Sequence, residues 1–117
     1  TLVRLVIGET EFSVNGIVVE SDLVPFIDPA YNRTMVPLRM VTEALGAQVN
    51  WIEEIRTVTI AANGQFLSLQ VDVSLPDDMG TPMIVNDRTF VPIAYIAQTL
   101  GADVRWDGDN GAVYIQQ

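Results

Sequence analysis

At 117 residues, 49% of them hydrophobic, the chain has enough apolar material for one ordinary domain or two very small ones, which excludes a disordered segment. Fifteen acids stand against six bases, all of them Arg, and the net charge of −9 argues against partners with phosphate backbones and against anionic membrane faces. There is no Cys and no His, which removes a disulfide scaffold, a thiol nucleophile, a Ser-His-Asp triad and imidazole metal sites together.

Leu2 to Ile7 reads as a strand, Gly8-Glu-Thr10 as a turn, and Glu11 to Val14 as a second strand by its alternation. Asn15-Gly16 is a two-residue hairpin signal, since both positions want positive φ, and Ile17 to Glu20 is the partner strand. Ser21 to Asn32, with Pro25 and Pro29, reads as a loop. The opening Thr1-Leu-Val-Arg-Leu-Val-Ile7 has neither Met nor a signal-peptide layout, which predicts a piece of a longer protein. No apolar run approaches the about 18 residues of a membrane span.

A motif then begins that occurs twice. Residues 33–60 and 88–115 superimpose without a gap at a shift of 55, with eleven identities in 28 positions. The identical pairs are Arg33/Arg88, Thr34/Thr89, Val36/Val91, Pro37/Pro92, Leu45/Leu100, Gly46/Gly101, Ala47/Ala102, Val49/Val104, Trp51/Trp106, Val58/Val113 and Ile60/Ile115. In each copy an extended segment precedes a Pro suited to the first helical position. Leu38, Val41 and Leu45 fall on one helical face with Ala44 beside them, while Arg39, Thr42 and Glu43 point elsewhere; Ile93, Ile96, Ala97 and Leu100 repeat the pattern. Gly46 and Gly101 are placed to end each helix in the left-handed region.

After each Gly the period changes to two. Ala47, Val49 and Trp51 share one face, as do Ala102, Val104 and Trp106, so both indoles are expected to be buried in the core; the alternative is that they are exposed platforms on which sugars stack. Polar turns follow at Ile52 to Arg56 and Asp107 to Gly111, then return strands Thr57 to Ala62 and Ala112 to Gln116. Asn63-Gly64 predicts a turn into a further strand, Gln65 to Val71, and Asp72 to Pro82 is the junction between copies. The fold expected is α+β: antiparallel β-sheets with two short helices, built from a duplicated β-α-β-hairpin unit. A half of this size has little core of its own, so 1–117 is expected to be a single compact domain of two repeats, about 1–71 and 72–117.

The pattern Arg-Thr-x-Val-Pro-(Leu/Ile), a short helix ending Leu-Gly-Ala, Val-x-Trp and a returning Val-x-Ile strand resembles the copper amine oxidase N-terminal-domain-like family. The resemblance covers both copies and, with the flanking strands, nearly the whole chain. It implies a small antiparallel sheet wrapped on a helix, found as an accessory module of secreted or envelope-attached bacterial proteins, apart from the copper and quinone chemistry. No position matches a catalytic motif of the oxidases, so no catalytic residue is carried over and no cofactor is expected. Copper binding is not expected either: without His or Cys, Met35, Met40, Met79 and Met83 are the remaining soft ligands, and they form no dense cluster in the sequence.

The residues themselves offer little chemistry. Glu53-Glu54 and Asp77-Asp78 lie in expected turns, where solvated acids are the simplest reading. Asp107-Gly-Asp-Asn-Gly111 has oxygen ligands at calcium-like spacing but lacks the distal bidentate Glu, so a hairpin turn is the simpler assignment. Arg33 and Arg88 read as structural guanidiniums that bridge loop carbonyls or an acid beside each helix start; the alternative is a grip on an anionic ligand. Phe26 and Tyr31, in the Pro-containing loop, are the candidates for contact with a partner. The function expected is that of a non-catalytic module of an extracellular or cell-envelope protein, which binds wall polymer, glycan or a protein; the alternative is a spacer or dimerisation domain without a ligand.

Overall fold

A computed structural model describes residues 1–62 and 64–117. Among the described residues strands take 48% of the chain and helical residues, two 3-10 turns included, 18%, so the class is mostly antiparallel β, in three sheets with two short α-helices, and the α+β duplicated hairpin unit expected from the sequence does not hold. The reason is physical. Seven- and eight-residue helices, α1 (Leu38–Ala44) and α2 (Ile93–Leu100), are too short to form a layer of their own. The extended segments before them are full strands, β5 (Arg33–Pro37) and β10 (Arg88–Pro92), each flanked by a further short strand, β4 (Phe26–Asp28) in the stretch read as loop and β9 (Met83–Val85).

The first sheet begins with β1 (Leu2–Val6), β2 (Glu11–Val14) and β3 (Ile17–Glu20), with Asn15 at φ 51° and Gly16 at φ 84° turning the hairpin. It is completed by β11 (Asp103–Asp107) and β12 (Ala112–Gln116), in the order β11-β12-β1-β2-β3. The N-terminal strand thus joins the return strand of the second motif, with Val3 opposite Ile115 and Leu5 opposite Val113, all four buried. The corresponding strands of the first motif, β6 (Gln48–Ile52) and β7 (Thr57–Ala62), form a separate sheet with β8 (Gln65–Gln70). The expected Asn63-Gly64 turn lies in part outside the described residues.

The third sheet, β4-β5-β10-β9, joins the two motifs. Val36 pairs with its equivalent Val91, flanked by Pro37 opposite Phe90 and Met35 opposite Pro92, so the antiparallel pair is centred on one equivalent position of the two motifs. Each helix packs on its own strand and on the other motif's: α1 on β10, α2 on β5. Val36, Val91, Ile60 and Ile115 therefore belong to one hydrophobic cluster together with the apolar faces of both helices.

The helices follow their sequence logic, with two adjustments. Pro37 and Pro92 are the caps that close each strand, at ψ 124° and 120°, and not the first helical residues. Thr42, expected to point away from the core, is fully buried; its hydroxyl donates to the Leu38 carbonyl at 2.8 Å, which satisfies it inside the helix. Gly46 at φ 76° lets the Ala47 amide reach the Thr42 carbonyl at 2.7 Å, and Gly101 at φ 77° does the same for Ala102 and Ala97 at 2.8 Å.

Candidate functional site

Both tryptophans occupy the strand phase the sequence assigns them, but neither is buried. Trp51 lies opposite Val58 and Trp106 opposite Val113, whose side chains are in the core, yet the indoles are 37% and 48% exposed. Burial fails because β6 and β11 are edge strands of their sheets. A large side chain on the core-facing side of an edge strand overhangs the core instead of entering it. The Trp51 indole N–H donates to the Glu53 carboxylate two residues on, which ties its edge to the turn. Trp106 lies beside its own turn, where a Cβ at Gly108 would stand 3.3 Å from Nε1.

Trp51 faces a cleft of about 600 Å³. Four separate stretches build it: Ser21 to Leu23 after β3, the start of α1, the β6–β7 surface, and Ile84 with Asp87 to Thr89 from β9–β10. Pro37, Leu38, Val49 and Val58 give it an apolar floor beside the indole. Its charged lining is Arg39, Arg56 and Arg88 against Asp22, Glu53 and Asp87. These six charges cancel, so the chain's net charge of −9 lies outside the cleft.

Each cleft arginine is held loosely. Arg88 faces Asp22 at 3.8 Å with side chains 55% and 79% exposed, Arg56 pairs with Asp72 at 3.1 Å, and Arg39 with Glu43 at 4.0 Å. Such exposed pairs contribute about 0–1 kcal/mol and exchange partners readily. Arg33 differs from its counterpart Arg88. Its Nε donates to the Asp78 carbonyl at 3.1 Å, and its aliphatic stem packs beside Gly80, which at φ 107° also approaches Pro92. One arginine thus brackets a loop, as the sequence suggests, while the other stands at the edge of a cleft.

Phe26 and Tyr31, the contact candidates from the sequence, do not border this cleft. Phe26 is half-buried against Phe90, ring centroids 5.2 Å apart. The Tyr31 hydroxyl is 3.0 Å from Ser74 Oγ, which stands 3.3 Å from Thr81 Oγ1. The Trp51 cleft was not visible in the sequence because its members come from stretches far apart in the chain. One sign was available: a bulky aromatic in the strand that ends a motif, next to a charged turn.

The acidic turns show no catalytic convergence. Glu53 and Glu54 are exposed in a short 3-10 turn, and Asp77 and Asp78 in another. Asp107 accepts a hydrogen bond from the Asn110 side chain at 2.8 Å; that bond first, then the Asn110 and Asp109 amides and nearby Arg105, hold its carboxyl below the usual 3.8 against the opposing effect of desolvation. This is the geometry of a hairpin turn. Among the described residues no three His, Cys, Asp or Glu side chains come together in a way that could hold a metal ion.

The copper amine oxidase N-terminal domain profile matches residues 13–76 and 78–117. A Brevibacillus choshinensis protein named as a protease inhibitor is 28% identical over 110 residues, which cover 88% of this chain and 33% of that protein. The chain therefore spans about a third of the length of that curated relative. No solved structure matches.

Proposed function

The chain belongs to the copper amine oxidase N-terminal domain family, an accessory and not a catalytic part of those enzymes, and from that premise we propose that it is a binding module of a larger secreted or envelope-attached bacterial protein. The module carries the scaffold without the metal chemistry and catalyses no reaction. Its working surface is the Trp51 cleft, and its partner is a wall polymer, a glycan or a protein. The observation that carries this reading is an exposed indole fixed by Glu53 at the wall of a cleft with balanced charge, on a chain whose other residues carry the whole net charge of −9. Clefts of this size with an aromatic wall and a few converging polar groups are the usual form of a small binding site. A relative named as a protease inhibitor, a protein that works by binding, supports the same view.

Co-sedimentation with purified bacterial wall fragments tests it. The intact chain and Trp106→Ala should pellet with the fragments, and Trp51→Ala should stay in solution. Equal retention by both variants overturns the assignment to the cleft. No retention of any variant, all of them folded, is the outcome a spacer gives.

A further inference from the structure

We infer that the ligand of the Trp51 cleft is an uncharged saccharide chain; the inference rests on the reading that this cleft is the binding site. Three guanidiniums that only donate and three carboxylates that only accept line the same space. A ligand of either net charge meets as many like charges as opposite ones there and gains no net attraction. A sugar hydroxyl both donates and accepts, so it uses both sets and repels neither.

The Arg88–Asp22 pair sharpens the point. At 3.8 Å the two groups are too far apart for a direct hydrogen bond, and an oxygen set to one side of the pair can reach both at about 2.8 Å. A hydroxyl placed there accepts from Arg88 and donates to Asp22, and neither charge loses its partner. Arg56 is hydrogen-bonded to Asp72 at 3.1 Å and Arg39 faces Glu43 at 4.0 Å; both pairs are exposed, so either guanidinium can turn to a ligand at a cost of about 0–1 kcal/mol.

The indole supplies the apolar half of recognition. The face of an aromatic ring is electron-rich and flat, which suits the C–H-bearing face of a pyranose, and the bond to Glu53 limits the freedom lost on binding. The surface beyond the cleft selects further. All of the net charge of −9 lies there, so an anionic polymer that runs on from the cleft over this surface is repelled by the acids within a screening length of about 8 Å of it. A polycation is attracted over the whole surface and gains no preference for the cleft.

The test uses the full chain with ¹⁵N-labelled indoles, whose two N–H resonances report Trp51 and Trp106 separately. The uncharged probes are N-acetylglucosamine tetramer, cellotetraose and maltotetraose; the others are a tetragalacturonate and a neutral hexapeptide, all at millimolar concentration. At least one uncharged sugar should move the Trp51 resonance saturably, leave Trp106 in place, and bind with nearly the same affinity at low and high salt. Tetragalacturonate should bind at least about tenfold more weakly. Asp22→Asn and Arg88→Gln should each weaken the sugar several-fold while Trp106 keeps its native shift. If only the acidic sugar or the peptide moves Trp51, the ligand class is wrong and the cleft remains the site. If an uncharged sugar binds without moving Trp51, the cleft itself is wrong. If no probe moves Trp51, the saccharide inference fails, and wall-fragment binding still decides the cleft on its own.

Discussion

The segments 33–60 and 88–115 run in parallel through the core and part company at the surface. Val36 and Val91, Pro37 and Pro92, Leu45 and Leu100, Val58 and Val113, and Ile60 and Ile115 are identical pairs and are buried in both segments. The arginines, tryptophans and turns of the same motif sit in different surroundings. Arg33 brackets the Asp78 carbonyl while Arg88 stands beside a cleft; Trp51 faces that cleft while Trp106 lies by its own turn. The cause is what each segment meets next. The return strand β7 continues into β8, its neighbour in sequence, whereas β12 pairs with β1 from the other end of the chain. Identity in the core therefore specifies the backbone path, and the flanking chain decides what each exposed position can do.

The sharpest way to break the comparison is through the core. Ile60→Ala and Ile115→Ala each remove a fully buried side chain and should cost about 2–5 kcal/mol in urea unfolding. Because both residues belong to the cluster shared by α1, α2 and the β5–β10 pair, each variant should still unfold in one transition with matching calorimetric and van't Hoff enthalpies. A variant that melts one segment and leaves the other folded separates the two.

The tryptophans come next. Trp51→Ala and Trp106→Ala should each cost about 1–2 kcal/mol, less than the about 3–5 of a buried Trp, since much of each indole already faces water. A loss of the larger size for either one places that indole in the core and breaks the distinction between overhang and burial.

These same residues show how far the sequence could be read. Strand phase, helix faces and the glycine helix stops were legible because they depend on local period and backbone sterics: Ile93, Ile96, Ala97 and Leu100 are buried, and Gly46 and Gly101 are left-handed. The burial of Trp51 and Trp106 was not legible, because phase gives the side of a sheet and not whether the strand lies at its edge. The class was misread for a related reason. Pairing between distant segments, β5 with β10 and β1 with β12, turns short extended stretches into sheet, and no local pattern announces it. The cleft depends on the same long-range pairing, since Arg88 and Trp51 line it from two different sheets.

The turns sharpen the comparison at a finer level. Arg56 and Gly111 are equivalent positions, and both are left-handed, at φ 46° and 62°. The first segment carries a side chain in a conformation that costs an L-residue about 1–2 kcal/mol, and the second avoids that cost with Gly. Gly111→Ala should therefore destabilise by about 1–2 kcal/mol. Arg56→Ala should cost under about 1 kcal/mol, because the backbone penalty is already present and only the exposed pair with Asp72 is lost. Equal losses in thermal unfolding would mean that the two turns do not share their backbone.

The smallest expected effect separates the turns by charge. The second begins with Asp107, which titrates, and the first with Ile52 at the equivalent position, which does not. Donation from the Asn110 side chain, helped by two backbone amides and Arg105, favours the charged carboxylate and lowers its folded pKa below 3.8. A depressed folded value means that the unfolded chain binds the proton first. The contribution is therefore fully present above the unfolded value, begins to fade near it, and is gone once pH falls through the folded value. In Asn110→Ala the largest cause is removed, so Asp107 should titrate closer to 3.8 and the acid side of the stability profile should flatten slightly. Carboxyl NMR titration reads the shift directly. If Asp107 in the unmodified chain titrates at or above 3.8, the Asn110 bond does not hold the turn in solution, and the two turns differ in sequence alone.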